Sequence, residues 1–502
     1  MKGAGTGDVT AMKAGSTGAM AAPRENGARG DIAYLSATDM AARIRAGQLT
    51  AEQAVAHALE RIARTQPVLN AFATVCADEA LVQARAADAA RARGEPLGPL
   101  HGVPFSVKDI INTKGVRTAW GSRLMAQNVP DADAVAVARL KSAGAVLIGK
   151  TTTSEFAWKL LTDSPAHGVT RNPWDPTRTP GGSSGGAAVA VAAHMGPIAL
   201  ATDAGASTRL PAACCGVVGL KPTLGLIPHT QVPDGFNNFI HLGLIARNVA
   251  DIALMLDVVA GPDRADPHSL GAPAPQARAA LQSPLPLAGL RIAWRPFCGN
   301  TALDAETRRR CEEVISALRE AGADVRTHDA AMENAEPSWR VLQQSNWGAR
   351  LGAQIDKVAD QLDPPLAEAV RGALLFSGQD VIKATYKRTQ FFRLVQSWFA
   401  EVDFVLTPTM SRPPLAADHP VDRPIEINGE SAGDMRSSWT PYLNLFDLTG
   451  HPAASVPCGR TSDGLPAGLQ IVGPWYGDAA VLGLAAHVER IVGWPDWRPP
   501  HA

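Results

Sequence analysis

Residues 181–201 read GGSSGGAAVAVAAHMGPIALA, and no other stretch limits the fold as tightly. Its apolar part, residues 187–201, is mainly alanine and valine, interrupted by His194 and Pro197. That is too short for a bilayer, which takes ~20 residues, so the segment belongs inside a protein core. With 502 residues and 46% hydrophobic content, the chain has the material to build one.

The remaining sequence indicates what kind of core. Thr50 with Gln53 forms a capping box ahead of a helix whose apolar face is Ala54, Val55, Ala58, Leu59 and Ile62. GVPFSVKDI (102–110) reads as a buried strand, and LKSAGAVLIGKT (140–151) as a helix end, a Gly144 cap and a strand. Residues 287–328 read strand, helix, strand, a βαβ unit. VDFVLTPT (402–409), AASVPCG (453–459) and GLQIVGP (468–474) add further short buried strands. Alternation of this kind predicts an α/β fold, a large mixed sheet covered by helices on both faces. Length alone suggests several domains, but no linker interrupts the chain after residue 35. We therefore expect a disordered tail over residues 1–30 and a single domain over 31–495, with a variable, substrate-shaping region at about 263–450.

Charge narrows the function. Forty-seven basic and 48 acidic residues leave a net charge of −1 with no block of either sign, which argues against a nucleic-acid or membrane-surface partner. Six cysteines, at 76, 214, 215, 298, 311 and 458, show neither a CxxC pair nor zinc-like spacing with histidine. They read as reduced thiols in a cytoplasmic protein without a metal, and the N-terminus lacks the apolar stretch of a signal peptide.

The PGGSSGG stretch (180–186) invites four readings. A flexible linker would not run straight into an apolar helix. A phosphate loop needs Lys before Ser or Thr after its last glycine, where Ala187 and Ala188 stand. A GxSxG nucleophile elbow is matched formally with Ser184 at its centre and His451 or His487 as a later base. The elbow must follow a strand, however, and Pro173, Pro176 and Pro180 precede it. The fourth reading draws in two other segments: Ser207, in ATDAGASTRLPAACCG (201–216), and Lys108, closing the apolar strand upstream.

With those segments side by side, the sequence resembles the amidase signature family. The resemblance rests on PGGSSGGAAVAVAAHMGPIALATDAGASTRLPAACCGVVGLKPT, on GVPFSVKDIINTKGVRTAWGS and on NLFDLTGHPAASVPCGRTSDGLPAGLQIVGP, and it spans roughly residues 35–490. It implies that fold and a Ser-Ser-Lys triad: Ser207 as nucleophile, Ser183 as bridge and Lys108 as base. The backbone N–H groups of Ala204, Gly205, Ala206 and Ser207 would form the oxyanion hole. Ser183 rather than Ser184 is the bridge because its separation from Ser207 equals that between the family's two serines. Physical chemistry supports the assignment: a serine hydroxyl needs a neighbouring base, and burial disfavours a lysine's charged form. Ser184, as a helix cap, and Asp203 with Arg209, as a buried ion pair, are supporting residues. Cys214 and Cys215 read as packed apolar groups. The chain departs from the family in having Gly205-Ala206-Ser207 where two glycines usually precede the serine, Ala187 where a serine is usual, and Ala201 where a glycine is usual.

The resemblance implies a cofactor-free hydrolase of small-molecule carboxylic amides, a monomer or homodimer. The same acyl transfer extends to esters and carbamates, hence urethanase activity. The alternative is the A-type component of a tRNA-dependent amidotransferase, in a glutaminase role. That branch carries a tyrosine-rich stretch where this chain reads SGQDVIKATYKRTQ (377–390), keeping only Tyr386. Substrate contacts are expected from segments 155–167, 229–240 and 336–450. Candidate pocket aromatics are Phe156, Trp158, Phe236, Phe239, Trp347 and Trp439.

Overall fold

In the computed structural model, which describes residues 32–330 and 332–502, each predicted strand joins one sheet of 11 strands. In chain order these are β1 (Phe72–Val75), β2 (Pro104–Lys108), β3 (Val146–Thr151), β4 (Ile198–Asp203), β5 (Val218–Lys221), β6 (His241–Ala246), β7 (Arg291–Trp294), β8 (Asp324–Thr327), β9 (Phe404–Pro408), β10 (Ala453–Arg460) and β11 (Pro466–Val472). Their order across the sheet is β1-β3-β2-β4-β6-β5-β10-β11-β9-β7-β8. The pairs β3–β2–β4 and β9–β7–β8 are parallel, while the strands between them run antiparallel. The sheet is thus mixed, as expected.

Seven helices matter for the site: α1 (Ala51–Leu69), α2 (Gly185–Ala192), α3 (Arg209–Cys215), α4 (Ala305–Glu320), α5 (Glu336–Leu351), α6 (Gly378–Trp398) and α7 (Asp478–Val492). The Thr50–Gln53 capping box opens α1, and α4 is the crossover between the parallel β7 and β8. Alternation along the strands feeds two cores. Phe404 and Leu406 of β9 join one and Val405 the other; Ile292 and Trp294 of β7 join the first and Ala293 the second. Successive strand residues point to opposite faces, so both faces are covered.

The alanine-rich segment fills the first core. Every residue of α2 is buried, and β4 follows it with all six residues buried. Small side chains let this helix lie against the sheet, with α3 packed beside it. Residues Ile32–Ala502 form a single compact unit; the tail expected over residues 1–30 lies outside the described residues.

Candidate active site

Strands β2 and β4 are parallel neighbours, so their C-terminal ends meet at one edge of the sheet. Lys108 closes β2 and Thr202-Asp203 close β4. Ligand sites in sheets of this type gather at such ends. The loop before α2 brings Ser183 to the same point, and the turn between β4 and α3 brings Ser207.

Lys108 Nζ donates to Ser183 Oγ at 2.7 Å and to Thr202 Oγ1 at 2.9 Å. Ser183 Oγ lies 2.9 Å from Ser207 Oγ. Lys108, Ser183, Ser184 and Asp203 are fully buried, whereas Ser207 lines a cavity of about 330 Å³. Burial holds the Lys108 ammonium well below the usual lysine value, against the opposing pull of the Asp203 carboxylate. Sequence reasoning does not single out Thr202; its only signal there is its place beside Asp203 at the strand end.

Close backbone approach explains the glycines. A Cβ on Gly182 would lie 2.6 Å from the Leu160 carbonyl carbon, and the Gly182–Ser183 peptide is cis. A Cβ on Gly205 would come within 2.8 Å of the Trp339 ring, whose indole N–H donates to the Ala204 carbonyl. Ala206 replaces a usual glycine without strain, since its φ is not positive. Its methyl is buried and does not line the cavity.

Ser184 occupies the N-cap position of α2, but its side chain makes no capping bond. Its hydroxyl instead donates to the Thr202 carbonyl at 3.3 Å, and its N–H to the Ser207 carbonyl at 3.2 Å. It ties the two loops together rather than capping the helix. Neither His451 nor His487 serves it as a base. His451 contacts Gln396 and Thr449, and His487 the Leu285 carbonyl.

Asp203 and Arg209 form the expected buried pair, with Arg209 Nε 2.9 Å from the carboxylate. Burial alone would raise the Asp203 carboxyl, but the Arg209 charge and hydrogen bonds bring it down to about 2. Arg209 also reaches Asp447 at 2.5 Å and Gln470 at 2.7 Å, so the closing sequence motif packs directly behind the serine loop. Asp203 accepts the N–H groups of Gly205 at 3.3 Å and Ser207 at 2.8 Å. Two of the four backbone donors named from the sequence are therefore engaged by this carboxylate. The N–H groups of Ala204 and Ala206 make no hydrogen bond among the described residues.

Of the aromatics expected at the pocket, Phe156, Phe239 and Trp347 line the cavity, joined by Trp120. The other three do not line it. Trp439 is buried with its N–H on the Arg412 carbonyl, Trp158 bonds Asp363, and Phe236 is 82% exposed. All six cysteines are free and buried, and burial pushes the Cys214 and Cys215 thiols well up, as befits packed apolar groups. Among the described residues no helix is long and apolar enough to cross a membrane.

At the ends of the parallel strands an amine and two hydroxyls thus form a hydrogen-bonded line whose last member, Ser207, meets the cavity, and comparison with known proteins places the chain among hydrolases. The amidase family model matches residues 53–482, and the chain belongs to the amidase (amidase signature) family. It is 35% identical to an acylamidase of Rhodococcus erythropolis, covering 93% of this chain and 98% of that protein. It is likewise 35% identical to the A-type component of the glutamyl-tRNA(Gln) amidotransferase of Chloroflexus aggregans, covering 93% and 99%. The crystal structure of a bacterial aryl acylamidase of the amidase signature family superposes with a TM-score of 0.85 at 27% identity, covering 93% of this chain and 99% of that one.

Proposed function

We propose that the protein hydrolyses carboxylic amides through an acyl-enzyme on Ser207, with Ser183 as proton relay and Lys108 as base. The observation that carries this reading is the unbroken hydrogen-bonded line from Lys108 through Ser183 to Ser207, only the last of which lines the cavity. Hydroxyl hydrogens rotate, so the same two contacts serve with the donors reversed.

In the first step Ser207 Oγ bonds the carbonyl carbon and passes its proton to Ser183, whose own proton goes to neutral Lys108. The carbonyl electron pair moves onto oxygen, toward the backbone N–H groups of residues 204–207, of which that of Ala204 is unengaged and belongs to a residue that lines the cavity. The C–N bond then breaks as Lys108 returns its proton through Ser183 to the leaving nitrogen. Water repeats the sequence on the acyl-enzyme and releases the carboxylic acid. Asp203, held by Arg209, fixes the turn that carries Ser207 without itself exchanging protons.

Linear amides are the favoured substrates within this reading, and esters and carbamates share the same acyl chemistry. The apolar walls contributed by Trp120, Phe156, Phe239 and Trp347 suit an aryl or alkyl group. Phe156, Phe239 and Trp347 come from the expected contact segments 155–167, 229–240 and 336–450; Trp347 alone lies in the variable region at about 263–450 and supports its substrate-shaping role. Six free cysteines support a cytoplasmic location. The second reading, the A-type component of a tRNA-dependent amidotransferase, is favoured by the equal identity to such a protein.

Labelling with a fluorophosphonate followed by mass spectrometry tests the nucleophile, with an adduct on Ser207 expected. An adduct on Ser184 would overturn the mechanism. Anilide, ester and carbamate assays on the isolated chain then separate the two functions. No turnover alone, with glutamine consumed once the other amidotransferase components are added, would establish the second.

A further inference from the structure

The wall of the cavity formed by α5 carries polar groups that the proposed chemistry does not use. Gln343, Trp347 and Arg350 recur at i, i+4 and i+7, one face of the helix, and all three line the cavity that holds Ser207. Arg350 stacks its guanidinium on Trp120, 4.6 Å from the ring centroid, and makes no hydrogen bond or ion pair among the described residues. Gln343 is only 7% exposed, and its Oε1 has no partner. Ser345 Oγ and His229 Nδ1, from the same lining, are buried and unpartnered as well. A carboxylate cannot satisfy the Gln343 Oε1 acceptor, but the side-chain N–H groups of the same cavity-lining residue can donate to one.

Charge identifies the ligand. Asp234, the one acidic residue of the lining, is already satisfied by the N–H groups of Phe236 and Asn237 and by the Asn237 amide. Arg350 is the lone cation of the lining, because the Lys108 amine lies buried behind Ser183. A guanidinium offers a planar fork of N–H groups that matches a carboxylate. One cation balances one negative charge, whereas a phosphate dianion would call for more.

We propose that Arg350, seated on Trp120 and helped by the side-chain N–H groups of Gln343, forms a carboxylate-binding subsite, and that the preferred substrates are amides bearing a carboxylate away from the scissile bond. This inference rests on the amide-hydrolase reading, since the scissile carbonyl must reach Ser207 in the same cavity. The carboxylate belongs to either the acyl group or the leaving amine, and the experiment distinguishes these.

Calorimetric binding to the Ser207→Ala enzyme is measured for glutaranilic acid (acid on the acyl side), 4-pentanamidobenzoate (acid on the amine side) and neutral pentananilide. One acid is expected to bind more tightly than the neutral anilide. In Arg350→Met that preference falls by about 10- to 100-fold, the scale of a hydrogen bond to a charged group, and Arg350→Lys restores part of it. Gln343→Leu, which removes no charge, gives a smaller loss on the same ligand. Arg350→Glu moves the preference toward a 5-aminopentananilide, a reversal that a merely structural arginine would not produce. The proposal is overturned if neither acid outbinds the neutral anilide, or if the preference survives Arg350→Met. Arg350-dependent binding without hydrolysis by the wild-type chain would leave the subsite standing and remove the amidase reading instead.

Discussion

Lys108 and Lys150 sit on adjacent parallel strands, β2 and β3, one register step apart. Both are fully buried, and burial lowers both, Lys150 to about 7 and Lys108 well below the lysine norm. Their surroundings separate them. Lys150 donates to the Ile111 carbonyl at 2.5 Å and to the hydroxyls of Thr113 and Thr118 at 2.9 Å. Every one of those acceptors belongs to the 111–118 loop, so the amine pins that loop. Lys108 donates to two hydroxyls, and one of these, Ser183, leads on to the serine at the cavity. In the proposed mechanism it is the hydroxyl path from the amine toward the cavity, not the lowered pKa that both lysines share, that marks Lys108 as the base.

The largest test of this contrast is a pair of variants. Lys108→Met is expected to lower kcat/KM for an anilide by ~10²–10⁴-fold, the usual range for losing a general base, with circular dichroism unchanged. Lys150→Met keeps kcat/KM within roughly tenfold of wild type. Equal losses in both would erase the distinction. In the proposed mechanism relay and base act as a unit, so adding Ser183→Ala to Lys108→Met is expected to lower the rate no further than either single change; multiplied losses would mean that the two residues act separately.

Stability should move the opposite way. Lys150→Met strands three acceptors and is expected to cost about 1–3 kcal/mol by urea denaturation, more than Lys108→Met costs. The pH dependence follows from the same residue. Between about 7 and its ordinary value of 10.5, the unfolded chain holds a proton on Lys150 that the folded chain does not. Unfolding then binds protons, so stability rises with pH across that window. The thermal midpoint should be higher at pH 9 than at pH 7, and the rise smaller in Lys150→Met, with Lys221, also lowered to about 7 by burial, and Lys108, held well below its ordinary value by burial, contributing the remainder. Activity has its own profile. As pH falls through the lowered Lys108 value the base is protonated and kcat/KM drops, with an inflection that Lys150→Met leaves in place.

The smallest effect sharpens the contrast. Thr202→Val removes one of Lys108's two hydrogen bonds without interrupting the relay, and a loss of roughly 3- to 10-fold in kcat is expected. A loss as large as that of Ser183→Ala would make Thr202 part of the relay.

Much of this site is legible in local sequence. Ser183, Ser207 and Lys108 each stand in a segment whose character, a glycine turn, a small-residue turn or the end of an apolar strand, is set by near neighbours. Asp203 and Arg209 are six residues apart and pair across a single turn. Asp447 and Gln470 are not local to them: they reach Arg209 across 238 and 261 residues of chain, and only their motif hints at a role. Trp158, Trp439 and Phe236 have the same sequence credentials as Phe156, yet packing turns the first two into the core and leaves the third exposed. The expected Ser184 cap fails for a related reason. Capping is a local rule, whereas the bonds that Ser184 makes, to the carbonyls of Thr202 and Ser207, tie it to other segments.

Periodicity, turn chemistry and the small residues of 181–201 determined the α/β layering and the strands, because those preferences act over a few residues, while the resemblance to the amidase signature family implied which three segments carry the proposed reacting groups. Tertiary structure decided which buried lysine meets the hydroxyl line, which backbone N–H groups Asp203 leaves unengaged, and which side chains wall the cavity. Those outcomes depend on strands such as β2 and β4, separated by ~90 residues of chain, being brought to hydrogen-bonding distance, and on how closely packed side chains from remote segments fill the remaining space.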